Sequence, residues 1–407
     1  MLLKLAFRNC LRNKRRTVIT GLSILVAVLI VLIVMSFMYS CIGDMVDNER
    51  RFSLGDVRIR MGKYSEYESL MPLQFYIEDC DGIKDELLAI DGVSGAEALI
   101  NVYGSLYKDG KLSTVSVIGA DPGSVYIGDD VIIKEGRLLE DGTREMMATV
   151  RFLDEFSLSV GDQVTVVFRT ATGGTNASTF RIVGAIGYNS AEYNSSLAVV
   201  SESVLSQILH MNGGALEMHV WLDGAADPDL MAETISKVLM NDDIEVKGWK
   251  GISAIYPILP LYDVMIAIVV VLFFFIASTL VFNTMMMSTL ERKKEISTMI
   301  ALGFSRQYVI VLLIIEGMMI SLMSSLLAAL AGKAIITFFG IHGLDLTPFG
   351  ADAVEGWGFP NILYTDLASY LYFAVVAIEV AVSALASFIA TRRVRKLEVA
   401  ESLREEA

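Results

Sequence analysis

The stretch Glu291-Arg292-Lys293-Lys294-Glu295-Ile296-Ser297-Thr298-Met299-Ile300-Ala301-Leu302-Gly303-Phe304-Ser305-Arg306 is spaced for docking rather than for bond chemistry. Its charges cluster at the start. Ile296, Met299, Ile300 and Leu302 give an apolar side at helical spacing, and Gly303 can end a helix in the left-handed conformation. A short helix of this kind can seat its apolar side in a partner's groove. A basic loop resting on lipid fits the same pattern. Residues suited to catalysis do not gather anywhere. No G-x-x-x-x-G-K-[ST] phosphate loop occurs, since Lys333 follows Gly332 but precedes Ala334. No G-x-S-x-G elbow and no H-E-x-x-H pair occur. His210, His219 and His342 are scattered and make no metal-ligand spacing. The chain reads as non-enzymatic, with no catalytic residue and no metal site.

Two carboxylates stand inside apolar runs, Glu316 and Glu379. An ionisable group at membrane depth faces protein rather than lipid. A hydrogen bond tying helices together is favoured over a proton path. Lys333 is expected to reach the outer surface along its aliphatic stem.

The elements that position these residues are long apolar blocks. The chain has 407 residues, 54% of them hydrophobic. Thr17 to Ser40 carries no charge, Leu261 to Leu290 carries only Asp263, and two further blocks run from Tyr308 to about Gly332 and from Leu367 to Thr391. Each exceeds the roughly 20 residues that a helix needs to cross a bilayer. Lys4, Arg8, Arg12, Lys14, Arg15 and Arg16 precede the first block. Arg292, Lys293, Lys294 and Arg306 separate the second from the third. Arg392, Arg393, Arg395, Lys396 and Arg404 follow the fourth, and the 341–366 connection has no Lys or Arg. Positive charge marks the cytoplasmic side. Both termini and the 291–307 loop are therefore predicted to be cytoplasmic, and four spans satisfy every assignment. An apolar run this long exceeds a signal-peptide core, so the first helix is predicted to stay uncleaved.

The predicted fold is an α-helical membrane protein of four transmembrane helices, with a large α+β extracytoplasmic domain inserted between helices one and two. Its divisions are an amphipathic lead-in at 1–16, helix one at 17–43, the inserted domain at 44–258 and helix two at 259–290. They continue with a cytoplasmic helix at 291–307, helix three at 308–340, an outer connection at 341–366, helix four at 367–391 and a tail at 392–407. The lead-in is expected to lie along the membrane surface with its basic face toward anionic lipid. The segment 44–258 holds 17 Lys and Arg against 34 Asp and Glu, while the whole chain is −14. That acidity suits a solvated surface and argues against nucleic acid as a partner. Within it, Val57–Met61 alternates as a strand, and Lys108-Asp109-Gly110 joins two strands as a hairpin. A second hairpin has its tip at Thr170 to Ser178. Helices are predicted at 82–90, 150–156, 202–210 and 228–240. A Cys41–Cys80 disulfide is conceivable in an oxidising compartment.

Three motifs carry a resemblance. Arg292, Lys293, Glu295, Ile296, Ala301, Leu302, Gly303 and Ser305 are similar to the "R-R-x-E-I-G-x-L-R-A-L-G-A-S" signature of the FtsX-like permease family. Leu5 to Thr17 resembles that family's "L-A-x-R-N-L-x-R-x-K-x-R-T" opening. Ala390 to Arg404 resembles its "R-R-A-x-K-L-D-P-V-E-A-L-R" tail, with Glu398 and Val399 departing from Asp-Pro. Glu316 stands where the family has a glutamate early in its third span. The family includes macrolide-exporter, lipoprotein-releasing and cell-division permeases. Gly119-Ala120-Asp121-Pro122 looks like the "G-I-D-P" segment of the lipoprotein-releasing branch.

The resemblance implies the membrane subunit of an ABC system in the bacterial cytoplasmic membrane. ATP and Mg would be held by a partner ATPase dimer. Arg292, Lys293, Glu295, Ile296, Met299, Ile300, Leu302 and Gly303 would couple to it. A second permease copy or a homologous permease would complete the complex, with a periplasmic carrier or adaptor outside. In the lipoprotein-releasing reading, acyl chains enter between spans one and two, near Met35, Met38, Tyr39, Met265 and Phe273, although ordinary helix packing explains these residues equally well. Efflux of toxic compounds or peptides, and mechanical activation of an external hydrolase, are the alternatives.

Overall fold

A computed structural model describes residues 5–6, 8–9, 12, 14–108, 110–121, 124–128, 131–190, 193–194, 196–224, 226–349 and 360–392. Lys4, Phe7, Cys10, Leu11 and Asn13 of the lead-in, Asp109, Pro122, and the tail motif beyond Arg392 lie outside the described residues. So does 350–359 of the 341–366 connection.

Four helices are long and apolar enough to cross a membrane: Lys14–Asn48, Leu259–Glu291, Arg306–His342 and Ser369–Thr391. Their shared core contains Val28 and Leu32 from the first, Phe274 and Val281 from the second, Ile320 and Ala328 from the third, and Val375 and Ala386 from the fourth. Lipid tails are as apolar as these side chains, so burial alone cannot drive the helices together, and close packing must. Small residues provide it. A Cβ at Gly317 in the third helix would meet Ser387 Oγ of the fourth.

The chain forms two compact units. One holds the four helices, and the other comprises Gly43–Ile258 with Asp345–Ile362. The connection after the third helix is thus partly built into the inserted domain. Asn189 Nδ2 donates to Ile362 O at 2.9 Å, and Ile362 N donates back to Asn189 Oδ1 at 2.8 Å. The two ends of Gly43–Ile258 also meet. A π-helical turn at Glu49–Leu54 presents Glu49, whose carboxylate accepts from Ser253 Oγ and from Ala254 N at 2.8 Å.

The inserted domain is built on one mixed sheet of ten strands. They are β1 (Val57–Met61), β2 (Val93–Lys108), β3 (Lys111–Ala120), β4 (Ile132–Gly136), β5 (Glu145–Thr149), β6 (Gln163–Arg169), β7 (Thr175–Gly187), β8 (Leu197–Ser201), β9 (Glu217–Leu222) and β10 (Ile244–Gly248). Strand β6 pairs with both β2 and β7, so β2, β3, β8, β5, β7 and β6 close on themselves. Gly104 lets β2 bend there, since a Cβ would crowd Val166 and Phe168 across the closure. Closure encloses Leu106, Val117, Val166, Phe168 and Phe180, while the opposite face buries Leu99, Ile118, Met147 and Val199 beneath Phe52, Tyr126 and Tyr188.

Strand β7 begins at Thr175, so much of the predicted hairpin tip at 170–178 is strand. The remaining tip is folded down. Ala171 N donates to Leu209 O, and Asn176 Nδ2 donates to Ile208 O, both at 2.9 Å. Cys41 and Cys80 are both buried, and the conceivable disulfide between them is not formed.

Glu202 opens the helix Glu202–Leu209 and is buried, with Asp121, Asp81 and Asp141 as acidic neighbours. Burial, then those carboxylates, raise its pKa from 4.5 to about 7. A raised folded-state pKa gives stability that is present below 4.5 and lost as pH rises through about 7. Glu202→Gln should therefore raise the melting temperature of the full chain at pH 8, by an amount equivalent to about 2–3 kcal/mol. The gain should vanish at pH 4, as read by scanning fluorimetry in neutral detergent. A gain that is the same at both pH values would contradict this origin.

Candidate functional site

The short helix predicted after the second span is present as Lys293–Ala301. Its end is set by Gly303, at φ +96°. Gly303 N donates to Ile300 O at 3.0 Å and Phe304 N donates to Met299 O at 3.1 Å, which satisfies carbonyls that the helix itself leaves open. Ser305 then caps the third span, its Oγ accepting from Tyr308 N at 3.2 Å. Termination and restart within a few residues fold the short helix back against the base of the third span.

Its apolar side turns inward. Ile296 is buried with Val309, Ile310 and Leu313 of the third span, and Met299 and Ile300 pack against that cluster. These residues anchor the helix within the chain. Leu302, 75% exposed, and Phe304, 38% exposed, carry the apolar surface that faces outward. Phe304 lay beyond the predicted coupling residues, because the apolar periodicity stops at Leu302.

Charge completes the anchor. Arg292, at the junction of second span and short helix, is buried. Its Nη1 donates to Glu316 Oε2 at 2.9 Å and Oε1 at 3.2 Å, and its Nε donates to Glu295 Oε2 at 2.9 Å. Asn9 Nδ2 donates to Glu316 Oε1 at 2.5 Å, and Arg12 pairs with Glu295. The lead-in, the junction, the short helix and the third span are therefore joined by one chain of alternating charges. Burial disfavours the Arg292 cation, but Glu316 and Glu295 outweigh it and raise its pKa. Burial likewise pushes Glu295 up, and Arg292 with Arg12 brings it below the ordinary carboxylate value. Glu316 and Arg292 are 24 residues apart in sequence, so only the folded chain pairs them.

The remaining residues separate. Lys293 is half-buried at the start of the short helix. Glu379 is buried in the fourth span and accepts from Ser383 Oγ at 2.9 Å, one turn along its own helix. Met35 is buried in the bundle core, with Met38, Tyr39 and Phe273 packed partly against it, whereas Met265 is exposed. Among the described residues no group of His, Cys, Asp and Glu could hold a metal ion.

Removing one partner of a buried pair strands the other charge, at a cost of about 3–5 kcal/mol. Arg292→Ala should cost about that much in thermal stability, and Arg292→Ala with Glu316→Ala appreciably less than the sum of the two single changes. Arg12→Ala, at an exposed pair, should cost under about 1 kcal/mol. A double-mutant cycle in neutral detergent checks this, and additive losses would contradict the pairing.

Residues 267–399 match the FtsX-like permease C-terminal family, and residues 17–238 match the MacB-like periplasmic core domain. Over 345 residues the chain is 22% identical to an uncharacterized ABC transporter permease of Methanocaldococcus jannaschii, covering 80% of this chain and 81% of the relative. The periplasmic region of MacB from Actinobacillus actinomycetemcomitans is similar at 13% identity and a TM-score of 0.38, covering 51% of this chain and 95% of that one. The extracellular domain of the noncanonic ABC-type transporter YknZ from Gram-positive bacteria is similar at 14% identity and a TM-score of 0.35, covering 47% of this chain and 99% of that one. With one match spanning more than half of the sequence and the other spanning its C-terminal helices, the chain belongs to the FtsX-like ABC transporter permeases, its MacB-like core domain inserted between the first and second membrane helices.

Proposed function

We propose that this permease passes ATP-driven movement from a separate cytoplasmic ATPase dimer to its inserted domain, and that Lys293–Ala301 is the coupling helix. The observation that carries this reading is the anchor: a short helix fixed to the third span by Ile296 and by the Arg292–Glu316 pair cannot be pushed without moving the span. Leu302 and Phe304 are the apolar contacts left for the ATPase. The chain has no phosphate-binding loop, so ATP and Mg belong to the partner. Charge placement puts both termini and the coupling helix in the cytoplasm, and the inserted domain on the far side of the cytoplasmic membrane. Four spans enclose too little space for a pathway, so two permeases work together.

The cargo class that we favour is a lipoprotein or another amphiphile drawn from the outer leaflet and passed to a periplasmic carrier. Supporting it is the lipoprotein-releasing resemblance at 119–122. A second reading, export of toxic compounds or peptides with an envelope adaptor, draws on the match of 17–238 to the MacB-like core domain. Mass spectrometry of the complex purified in mild detergent separates them. Acylated protein is expected, and unacylated cargo alone would overturn the lipoprotein reading.

Leu302→Asp with Phe304→Asp should reduce ATPase co-purification about tenfold or more, the loss that a central apolar contact of an interface produces. Lys294→Ser, on the exposed charged flank, should leave it within about threefold. Undiminished ATPase recovery with the double change would overturn the assignment of the coupling surface.

A further inference from the structure

The helical unit carries a groove on its outer surface. Span one, Lys14–Asn48, and span three, Arg306–His342, part there around a cavity of about 330 Å³. Val18, Leu22 and Leu25 line one side, and Met319, Met323 and Leu327 the other. Gly21 closes the floor, coming so near to span three that a Cβ there would stand 2.8 Å from Ser324 Oγ. None of the described lining residues is charged. Val18, Leu22, Met323 and Leu327 are exposed, so the groove is open to whatever surrounds the helices.

One end of the groove is basic. Residues three and four apart share a helix face, so Lys14 stands one turn before Thr17 and Val18, and Arg15 one turn before Val18. Both cations are exposed. Helical side chains lean toward the N-terminus, which carries these two away from the apolar groove and toward the level of the lipid head groups. Carboxylates do not cancel the charge at this end. Residues 1–16, 291–316 and 392–407 hold 15 Lys and Arg against 7 Glu and no Asp. Of those glutamates, Glu295 and Glu316 are already paired with Arg12 and Arg292.

We propose that this groove binds an anionic phospholipid, with one acyl chain between spans one and three and the head-group phosphate against Lys14 and Arg15. A cleft that is apolar along its length and basic at one end matches a molecule with an apolar tail and an anionic head. The methionines at 319 and 323 suit a flexible chain, since their own side chains adapt to its shape. A second copy of this chain fits less well: its basic end would lie on the same side of the membrane and face these cations. The lead-in joins the same two spans through Asn9 and Glu316, so the lipid braces a junction that is already in place. The site rests neither on the coupling assignment nor on the cargo.

The test uses the full chain carrying Met323→Trp, in phosphatidylcholine nanodiscs that contain phosphatidylglycerol or phosphatidylcholine with brominated acyl chains as the quencher. Fluorescence is read as the difference from the parent chain. Brominated phosphatidylglycerol should associate about fivefold or more tightly than brominated phosphatidylcholine at this site, the gain expected from even one cation at the head-group level. Leu385→Trp, at an exposed position on span four, should show the two lipids within about twofold of each other. Lys14→Ser with Arg15→Ser should abolish the preference at Met323→Trp while leaving quenching by phosphatidylcholine unchanged, which separates loss of the head-group contact from misfolding. Arg15→Lys should keep the preference, and Lys294→Ser should leave it within about twofold. Both lipids lie in both leaflets of a nanodisc, so the outcome does not depend on which side of the cell membrane the groove faces. Equal quenching by the two lipids at Met323→Trp, the same preference at Leu385→Trp, or equal losses in Arg15→Ser and Lys294→Ser would each overturn the proposal. So would the absence of quenching at Met323→Trp, the result expected if a second copy covered the groove.

Discussion

The pairing of Arg292 with Glu316 is the constraint on which the base of the helical unit depends. Neither charge would be stable alone at that depth. A carboxylate one turn or more into a membrane helix needs a donor, and Arg292 brings two contacts to it at 2.9 and 3.2 Å. Once the guanidinium is committed there, its remaining face fixes Glu295, and the short helix can take only one orientation. Ile296 is then buried rather than displayed. The geometry turns a loop between two spans into a rigid extension of the third one. It also ties in the lead-in through Asn9 and Arg12, so the residues before the first span are part of the same assembly.

The inserted domain follows a different logic. Its strength comes from a sheet that closes through β6 and buries apolar residues on both faces. Its ends are held by Glu49 against Ser253 and Ala254, and Asn189 adds the strand at Ile362 from the later connection. The domain therefore takes chain from between spans one and two and also from between spans three and four. Within it, the Arg60–Glu217 pair is buried between β1 and β9.

How much of this is legible in the sequence depends on the kind of signal. The four spans are legible because apolar runs of that length, with at most one charge each, suit a bilayer, and the alternation Val57-Arg58-Ile59-Arg60-Met61 shows β1 directly. Strands β5 and β8 escape notice for a physical reason. Met146-Met147-Ala148 and Leu197-Ala198-Val199-Val200 are buried on both faces, and each has a parallel neighbour, so no alternation survives. The same loss of contrast hides which side of a span faces protein. Met35 and Met265 look alike in sequence, yet one is in the bundle core and the other exposed. The short helix is legible as a helix, but its inward face is not, since Arg292 and Glu316 are joined only by folding. The family resemblance, resting on three motifs in order, supplied what periodicity could not: the identity of the partner.

The central claim is that the proposed coupling helix and the third span move as one body. Pulsed electron paramagnetic resonance measures this directly, with spin labels at Thr298→Cys and Leu322→Cys in a chain whose own cysteines are replaced, assembled with its ATPase. The account expects the same distance distribution in the nucleotide-free and the vanadate-trapped complex, and a broadened one when Arg292→Ala is added. A shift of the wild-type distance on trapping would contradict it.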